Sequence, residues 1–239
     1  MNIIEQYKQY LKESNQFMVD KEKLINNLSE PLRSYIKKDG CLLPGNLTYH
    51  ELYDFYIDRL REFSNGELVI DDDNSYAIKQ VVLYMNQDPK FKGSLDKGLM
   101  IRGPVGTGKT LLFEGMQSVY SLLGRKIFPV IDTYDVAAKY LKAGPDIFYN
   151  ERYLYNIILC LTHNLIFDDI GTEPIVKYMG SEANVMAEII YRRYKGGLKT
   201  HFSSNLSSNI LKEIYGERVV SRLREMCNDL VIKGNDRRK

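Results

Sequence analysis

The chain has 239 residues, of which 44% are hydrophobic and 27% are charged, with a formal net charge of +2 at pH 7; these values are ordinary for a soluble globular protein and give room for one full domain and a smaller one. No apolar run approaches membrane-spanning length and the polar N-terminus lacks the apolar core of a signal peptide, so we expect no membrane partner and a cytoplasmic protein. The three cysteines, Cys41, Cys160 and Cys227, are far apart and form no CxxC pair, which predicts thiols rather than disulfides or a zinc site.

Residues 1–75 are predicted to form a small helical N-terminal domain. Apolar residues recur at helical spacing in 1–38, and "LTYHELYDFYIDRLREF" (47–63) is a second helix, with Thr48 as N-cap and Glu51 completing a capping box. The segment "SNGELVIDDDNS" (64–75) breaks the pattern and is a linker candidate. Residues 1–75 carry 9 basic and 14 acidic side chains, against 24 and 17 in 76–239. Such a split fits two units with different partners, but it also arises without functional meaning.

Strands and helices alternate in residues 76–239, the second predicted domain. The predicted strands are "GLMIRG" (98–103), "KIFPVID" (126–132), "NLIFDD" (164–169), "KTHFSSN" (199–205) and "DLVIK" (229–233). The predicted helices cover 76–88, 109–124, 133–144, 149–161, 181–197, 207–216 and 217–227. This alternation predicts an α/β fold with a parallel sheet of about five strands covered by helices.

The segment "IRGPVGTGKTL" (Ile101–Leu111) has the pattern of a phosphate-binding P-loop between a strand and a helix. Its glycines allow backbone N–H groups to turn towards an anion, and the helix N-terminus adds partial positive charge. The lysine can reach the β- and γ-phosphates, and the threonine hydroxyl after it can bind Mg²⁺. The sequence therefore predicts ATP and Mg²⁺ as cofactors, with candidate binding residues Gly103, Pro104, Val105, Gly106, Thr107, Gly108, Lys109, Thr110 and Leu111.

An apolar strand that ends in acid, "LIFDD", follows the P-loop about sixty residues later. We expect Asp168 to belong to the Mg²⁺ shell and Asp169 to orient or deprotonate the attacking water. The alternative is that two aspartates simply end a strand in a turn, but the P-loop before them favours the catalytic interpretation.

From Gly98 to the C-terminus the sequence resembles the AAA+ ATPases, specifically the DnaC/DnaI-type helicase loaders and the related IstB transposition ATPases. The resemblance depends on "GPVGTGKT", "LIFDDIGTEP", "THFSSNLS", "GERVVSRLREMC" and "KGNDRRK" in this order. It implies an AAA+ type of P-loop NTPase fold and ATP hydrolysis to ADP and phosphate.

The resemblance also implies roles for three further residues. Asn205 matches the sensor-1 residue that positions water near the γ-phosphate; its alternative is a helix N-cap. Arg218 matches the arginine finger that reaches the ATP of a neighbouring subunit; its alternative is a solvated helix arginine. Arg238 resembles the sensor-2 arginine, although Asp236 replaces the usual serine and Arg237 is an adjacent competitor. Asp169 stands where glutamate is commoner, which favours a slow, switch-like ATPase.

Loaders of this type imply three partners: a replicative hexameric DnaB-like helicase bound by the N-terminal domain, single-stranded DNA, and further copies of the chain in an ATP-dependent oligomer. Cationic and aromatic side chains suited to single-stranded DNA occur in "KYLKAGPDIFY", namely Lys139, Tyr140, Lys142, Phe148 and Tyr149, although a core role for Phe148 fits at least as well. Two other functions stay open at this point. One is an IstB-like transposition ATPase that binds target DNA, and the other is an ATP-stabilised protein-binding adaptor with negligible turnover.

Overall fold

The structure is a computed structural model that describes residues 47–123, 125, 128, 130–145, 164–178 and 181–238. The predicted helices in 1–38 and 149–161 lie outside the described residues, as do Phe148 and Tyr149. None of the helices in the described ranges is long and apolar enough to cross a membrane.

The chain separates into two compact units. One contains the described residues up to Lys92 together with Thr110–Ile127, and the other contains Gly93–Lys109 and Phe128–Lys239. The boundary between them therefore passes through the first turn of the helix that follows the P-loop. The predicted domain boundary at residue 75 stays a prediction.

The described residues of the first unit include helices α1 (Tyr49–Phe63), α2 (Ser75–Met85) and most of α3 (Lys109–Leu122). The predicted capping box of α1 is confirmed. Thr48 accepts a hydrogen bond from the Glu51 backbone N–H, and the Glu51 carboxylate accepts one from the Thr48 N–H at 2.8 Å. These two bonds satisfy backbone donors that have no partner inside the helix and fix where α1 begins.

Helix α1 packs closely on α3. The Tyr56 hydroxyl donates a hydrogen bond of 2.7 Å to the Leu112 carbonyl. A Cβ atom on Gly115 would lie 2.6 Å from a methyl carbon of Leu60 and 2.8 Å from the Tyr56 ring, so only glycine allows this approach. A helix that the sequence assigned to the N-terminal domain thus buries its apolar face against the helix that follows the P-loop.

The second unit contains a five-stranded sheet in the order β2-β3-β6-β1-β7, and every pairing in it is parallel. The predicted α/β fold is confirmed. Its strands are β1 (Gly98–Arg102), β2 (Val130–Asp132), β3 (Leu165–Asp168), β6 (Thr200–Ser204) and β7 (Cys227–Val231). The helices of this unit are α4 (Thr133–Ala143), α5 (Val185–Lys195), α6 (Ser208–Tyr215) and α7 (Glu217–Met226).

Several predicted boundaries are wrong, and for two of them the structure gives a clear reason. The helix predicted from residue 181 begins at Val185, because Ser181–Ala183 forms β5 and pairs antiparallel with β4 (Val176–Tyr178). The Asn184 side chain then accepts a hydrogen bond of 3.0 Å from the Ala187 N–H and caps the helix. The last strand begins at Cys227 rather than at residue 229, because Cys227 pairs with Gly98 of β1.

His201 on β6 is fully buried, and its Nδ1 accepts a hydrogen bond of 3.0 Å from the Leu99 N–H. Burial, with smaller contributions from the charges of Lys199 and Arg193, lowers the pKa of His201 to about 3. The unfolded chain binds a proton at this residue near pH 6.5, whereas the folded chain does not. The stability that depends on neutral His201 is therefore complete above pH 6.5 and decreases as the pH falls towards 3.

We expect protonation of His201 in the unfolded chain to lower the free energy of unfolding by about 2 kcal/mol between pH 7 and pH 5. Asn at position 201 can still accept from Leu99 but does not titrate, so His201→Asn should lose less stability over this range than the parent. Chemical denaturation at both pH values measures the difference, with exposed His50→Asn as the control. If the free energy of unfolding depends equally on pH in the parent and in His201→Asn, the prediction that folding requires neutral His201 is contradicted.

Candidate nucleotide-binding site

The carboxyl ends of β1, β3 and β6 meet at one edge of the sheet. Arg102 pairs in register with Ser204, and Phe167 pairs with Phe202. Because all these strands are parallel, the segments that follow them lie together at this edge. They are the P-loop after β1, Asp168 and Asp169 at the end of β3, and Asn205 after β6.

The P-loop has little space for side chains at its glycines. A Cβ atom on Gly103 would lie 2.3 Å from the Ile232 carbonyl oxygen, and Gly106 and Gly108 have φ angles of 73° and 92°. The Thr107 hydroxyl and the Lys109 ammonium both donate hydrogen bonds of 2.8 Å to the Pro104 carbonyl. These bonds close the loop on itself, and Thr110 and Leu111 continue it into the first turn of α3.

Lys109 is 5% exposed, so its charge is poorly hydrated. Burial lowers the pKa of its ammonium, and the carboxylates of Asp169 and Asp168 partly offset this effect. The lysine of the P-loop and the acidic end of β3 therefore belong to one electrostatic site, as the sequence predicted they would if they served the same ligand.

Ser203, which sequence reasoning did not single out, links the two aspartates. Its hydroxyl donates to Oδ1 of Asp168 and accepts a hydrogen bond of 2.7 Å from the Asp169 N–H. Its carbonyl also accepts from the Ile170 N–H at 2.9 Å. A single buried serine on β6 thus fixes both the side chain of Asp168 and the backbone of the residue after it.

Asp169 has a φ angle of 56°, a left-handed conformation that aspartate tolerates better than most residues. Its carbonyl accepts hydrogen bonds from Thr172 at 2.7 Å and from Thr133 at 3.2 Å. Burial, together with the nearby charge of Asp168, raises the pKa of Asp169. A carboxylate with a raised pKa holds a transferred proton more readily, as a general base must.

Asn205 is half-buried directly after β6, and among the described residues its side chain has no hydrogen-bond partner. The alternative that Asn205 caps the next helix is wrong, because Ser207 caps α6 by accepting from the Ile210 N–H at 3.3 Å. Within the described residues, the Asn205 amide therefore makes no structural hydrogen bond.

Arg218 lies exposed in the first turn of α7, and within the described ranges it makes neither an ion pair nor a hydrogen bond. The other arginines of α7 are engaged: Arg222 pairs with Glu225 at 2.9 Å, and Arg224 donates to the Ser208 hydroxyl at 3.3 Å. Of these three arginines, Arg218 is the one without a hydrogen bond or ion pair to the part of the chain that the structure describes.

The C-terminal segment returns to the P-loop. The Arg237 N–H donates a hydrogen bond of 3.0 Å to the Gly106 carbonyl, and Arg238 forms a two-point ion pair with the Asp236 carboxylate. The sequence alone did not decide whether Arg237 or Arg238 matches the sensor-2 arginine. The positive charge of Arg238 acts on both Lys109 and Asp169, so its guanidinium lies within electrostatic reach of the predicted site.

Helix α4 carries the described part of the predicted DNA-contacting cluster. Lys142 is exposed and Lys139 is half-buried, but Tyr140 is only 6% exposed, so the prediction that Tyr140 offers a stacking surface is wrong. Tyr134, six residues closer to the start of α4, is 61% exposed instead. Helical spacing puts Tyr134 and Leu141 on the outer face, while Val136, Ala137 and Tyr140 point to the core.

Two solved structures share this fold over most of their length. The crystal structure of the DnaC helicase loader matches with a TM-score of 0.54 and 25% sequence identity, covering 74% of this chain and 98% of that one. A protein from Streptococcus pyogenes serotype M3 described as a primosome component matches with a TM-score of 0.54 and 21% identity, covering 81% and 93%. No protein-family model matches the chain, and no curated protein matches it.

Because Ser203 holds the predicted Mg²⁺ ligand Asp168, we expect Ser203→Ala to raise about tenfold the Mg²⁺ concentration needed for half-maximal ATP binding. The matched control is Ser204→Ala, since the Ser204 hydroxyl is also buried but donates to the Ile170 carbonyl at 2.7 Å and not to a carboxylate. Calorimetric titration of ATP at a series of Mg²⁺ concentrations measures the effect. If Ser203→Ala and Ser204→Ala have the same Mg²⁺ requirement, Ser203 has only a structural role.

Proposed function

We propose that this chain is a DnaC-like AAA+ protein, a slow ATPase that loads a ring-shaped replicative helicase onto single-stranded DNA. The observation that supports this most strongly is the edge of the sheet. There a closed P-loop with a buried lysine lies next to two aspartates. On α7, Arg218 makes no hydrogen bond or ion pair with any residue that the structure describes. The structural similarity to the DnaC helicase loader supports the choice of a helicase as the protein that is loaded.

In this proposal the P-loop N–H groups and Lys109 bind the β- and γ-phosphates of ATP. The carboxylate of Asp168 and the hydroxyl of Thr110 are hard oxygen donors that suit Mg²⁺, which needs few protein ligands when phosphates supply the others. Bound Mg²⁺ would neutralise charge on the phosphate oxygens. Asp169 accepts a proton from the attacking water, and Asn205 orients that water.

Turnover is expected to be slow because the aspartate at 169 is one methylene shorter than the glutamate common in this family. A slow ATPase suits a loader, which needs ATP to define an assembled state and hydrolysis to end it. We also propose that the chain works in the cytoplasm and that residues 1–75 bind the DnaB-like helicase. Neither point depends on the geometry of the sheet edge.

Arg218 is the proposed contribution of one subunit to the ATP of the next. A guanidinium stays charged and can contact two phosphate oxygens at once, and a residue acting in a neighbouring subunit should have no partner in its own chain. Head-to-tail contacts of this kind make each active site from two copies of the chain.

Lys109→Ala should abolish tight ATP binding, and Arg218→Ala should bind ATP nearly normally but hydrolyse it poorly. Mixing the two inactive variants should restore about a quarter of the parent turnover at equal amounts, because random assembly pairs an intact P-loop with an intact arginine at one interface in four. ATP turnover across mixing ratios at fixed total protein, with single-stranded DNA present, measures this.

The matched control for this mixing experiment is Arg224→Ala, which removes another exposed arginine from the same helix and should retain parent turnover. Mixtures that co-assemble but never exceed the sum of the separate activities would contradict a shared site. Arg218 would then be a solvated helix arginine.

Single-stranded DNA is proposed to contact the outer face of α4. Tyr134 offers an exposed ring on which a base can stack, and Lys142 on the same helix offers a charge for the phosphate backbone. The basic charge of residues 76–239 supports this choice, since phosphate contacts dominate such binding.

We expect Tyr134→Ala combined with Lys142→Ala to weaken binding of a single-stranded oligonucleotide and to lower the slope of log affinity against log salt by about one. Fluorescence anisotropy over a range of salt concentrations measures both quantities. The control is Tyr191→Ala with Lys195→Ala, an exposed tyrosine–lysine pair on α5 whose ammonium lies 5.0 Å from the ring centroid. Equal losses in the two double variants would place the DNA elsewhere, and a preference for duplex DNA would favour the IstB-like alternative.

A further inference from the structure

We propose that Asp236 competes with the phosphates of ATP for Arg238, so that the C-terminal segment sets the nucleotide affinity of the P-loop. This inference rests on the proposed ATP site and goes beyond it, because it assigns a function to the carboxylate that replaces the usual serine. It follows from where three consecutive residues, Asp236 to Arg238, lie against the loop.

The Asp236 carboxylate lies in contact with the P-loop backbone. A Cβ atom on Gly106 would lie 1.7 Å from Oδ1 of Asp236 and 2.1 Å from its Cγ, so this carboxylate uses the space that the glycine leaves. The hydrogen bond from the Arg237 N–H to the Gly106 carbonyl fixes the segment in this place. A negative charge thus lies directly against the middle of a loop that is proposed to receive negative phosphates.

Arg238 neutralises this charge. Its Nε and Nη2 donate to the two oxygens of Asp236 at 3.1 and 2.8 Å, and its backbone N–H donates to Oδ1 at 3.0 Å. These bonds lower the pKa of Asp236 to about 2, so the carboxylate is charged at neutral pH. Both side chains remain accessible, with 67% and 47% exposure for Arg238 and Asp236, so the pair can open without unfolding the segment.

The consequence is a competition between two anions for one guanidinium. While Arg238 stays on Asp236, its Nε and Nη2 donors are not available to phosphate. Once these donors turn to phosphate, Asp236 is left uncompensated beside the loop. Either arrangement reduces ATP affinity relative to a chain with a neutral residue at 236. The reduction should be moderate, because partly exposed charges are screened by water and salt.

The test variant is Asp236→Asn, which removes the charge but keeps an oxygen to accept from the Arg238 N–H and so preserves the turn. We expect it to bind ATP about fivefold more tightly than the parent, and the gain should shrink at high salt. In a chain that also carries Arg238→Ala, the same substitution should give a clearly smaller gain, because there is no guanidinium left to release. Calorimetric titration of the full-length chain with Mg²⁺ and ATP measures all four proteins.

The matched control is Asp229→Asn. Asp229 forms the same kind of two-point pair with Arg102, with Nε to Oδ1 at 2.8 Å, but on the sheet rather than against the P-loop. It should leave ATP affinity unchanged. Parent-like affinity of Asp236→Asn would overturn the proposal, and so would an equal gain with and without Arg238, which indicates simple repulsion. Normal ATP binding by Lys109→Ala, by contrast, would refute the ATP site itself.

Discussion

Strand β6 forms parallel hydrogen-bonded pairs with β1 on one side and with β3 on the other. This double pairing puts the ends of three strands that are distant in the chain at one edge of the sheet. It also brings Ser203 within bonding distance of Asp168 and of the backbone of Asp169. The P-loop, the acidic turn and Asn205 therefore depend on one register. A shift of β6 by one residue would turn Ser203 to the opposite face of the sheet and separate it from the aspartates.

Charges of both signs meet at this edge, and the negative ones are in excess. Two cations, Lys109 and Arg238, act on three carboxylates, those of Asp168, Asp169 and Asp236. Burial lowers the pKa of Lys109 and raises that of Asp169, which weakens the charged form of each. Phosphates would add more negative charge to a set in which carboxylates already outnumber cations, which is why the proposed function includes Mg²⁺. The same excess of negative charge explains how, in our proposal, a single carboxylate at 236 adjusts nucleotide affinity without taking part in hydrolysis.

Helix α3 connects this edge to the first compact unit. It begins with Lys109 of the P-loop, and from Thr110 onward it belongs with α1 and α2. The hydroxyl of Tyr56 and the missing side chain of Gly115 fix α1 against it. Residues assigned by sequence to a separate N-terminal domain are thus part of the hydrophobic packing behind the P-loop helix.

The sequence by itself determined the parallel α/β fold, the P-loop, the acidic strand end and the capping box at Thr48, because each is a local pattern with a local physical cause. It did not reveal Ser203, the β4–β5 pair, the burial of Tyr140 or the contact of Asp236 with Gly106. One signal for Ser203 was present, since two serines stand directly before Asn205, the predicted sensor-1 residue. The remaining features depend on which residues distant in the chain become neighbours. Only the tertiary structure decided them. The register of β6 and the return of the C-terminal segment bring together groups that are far apart in the sequence, and their spacing in the sequence does not predict that they meet.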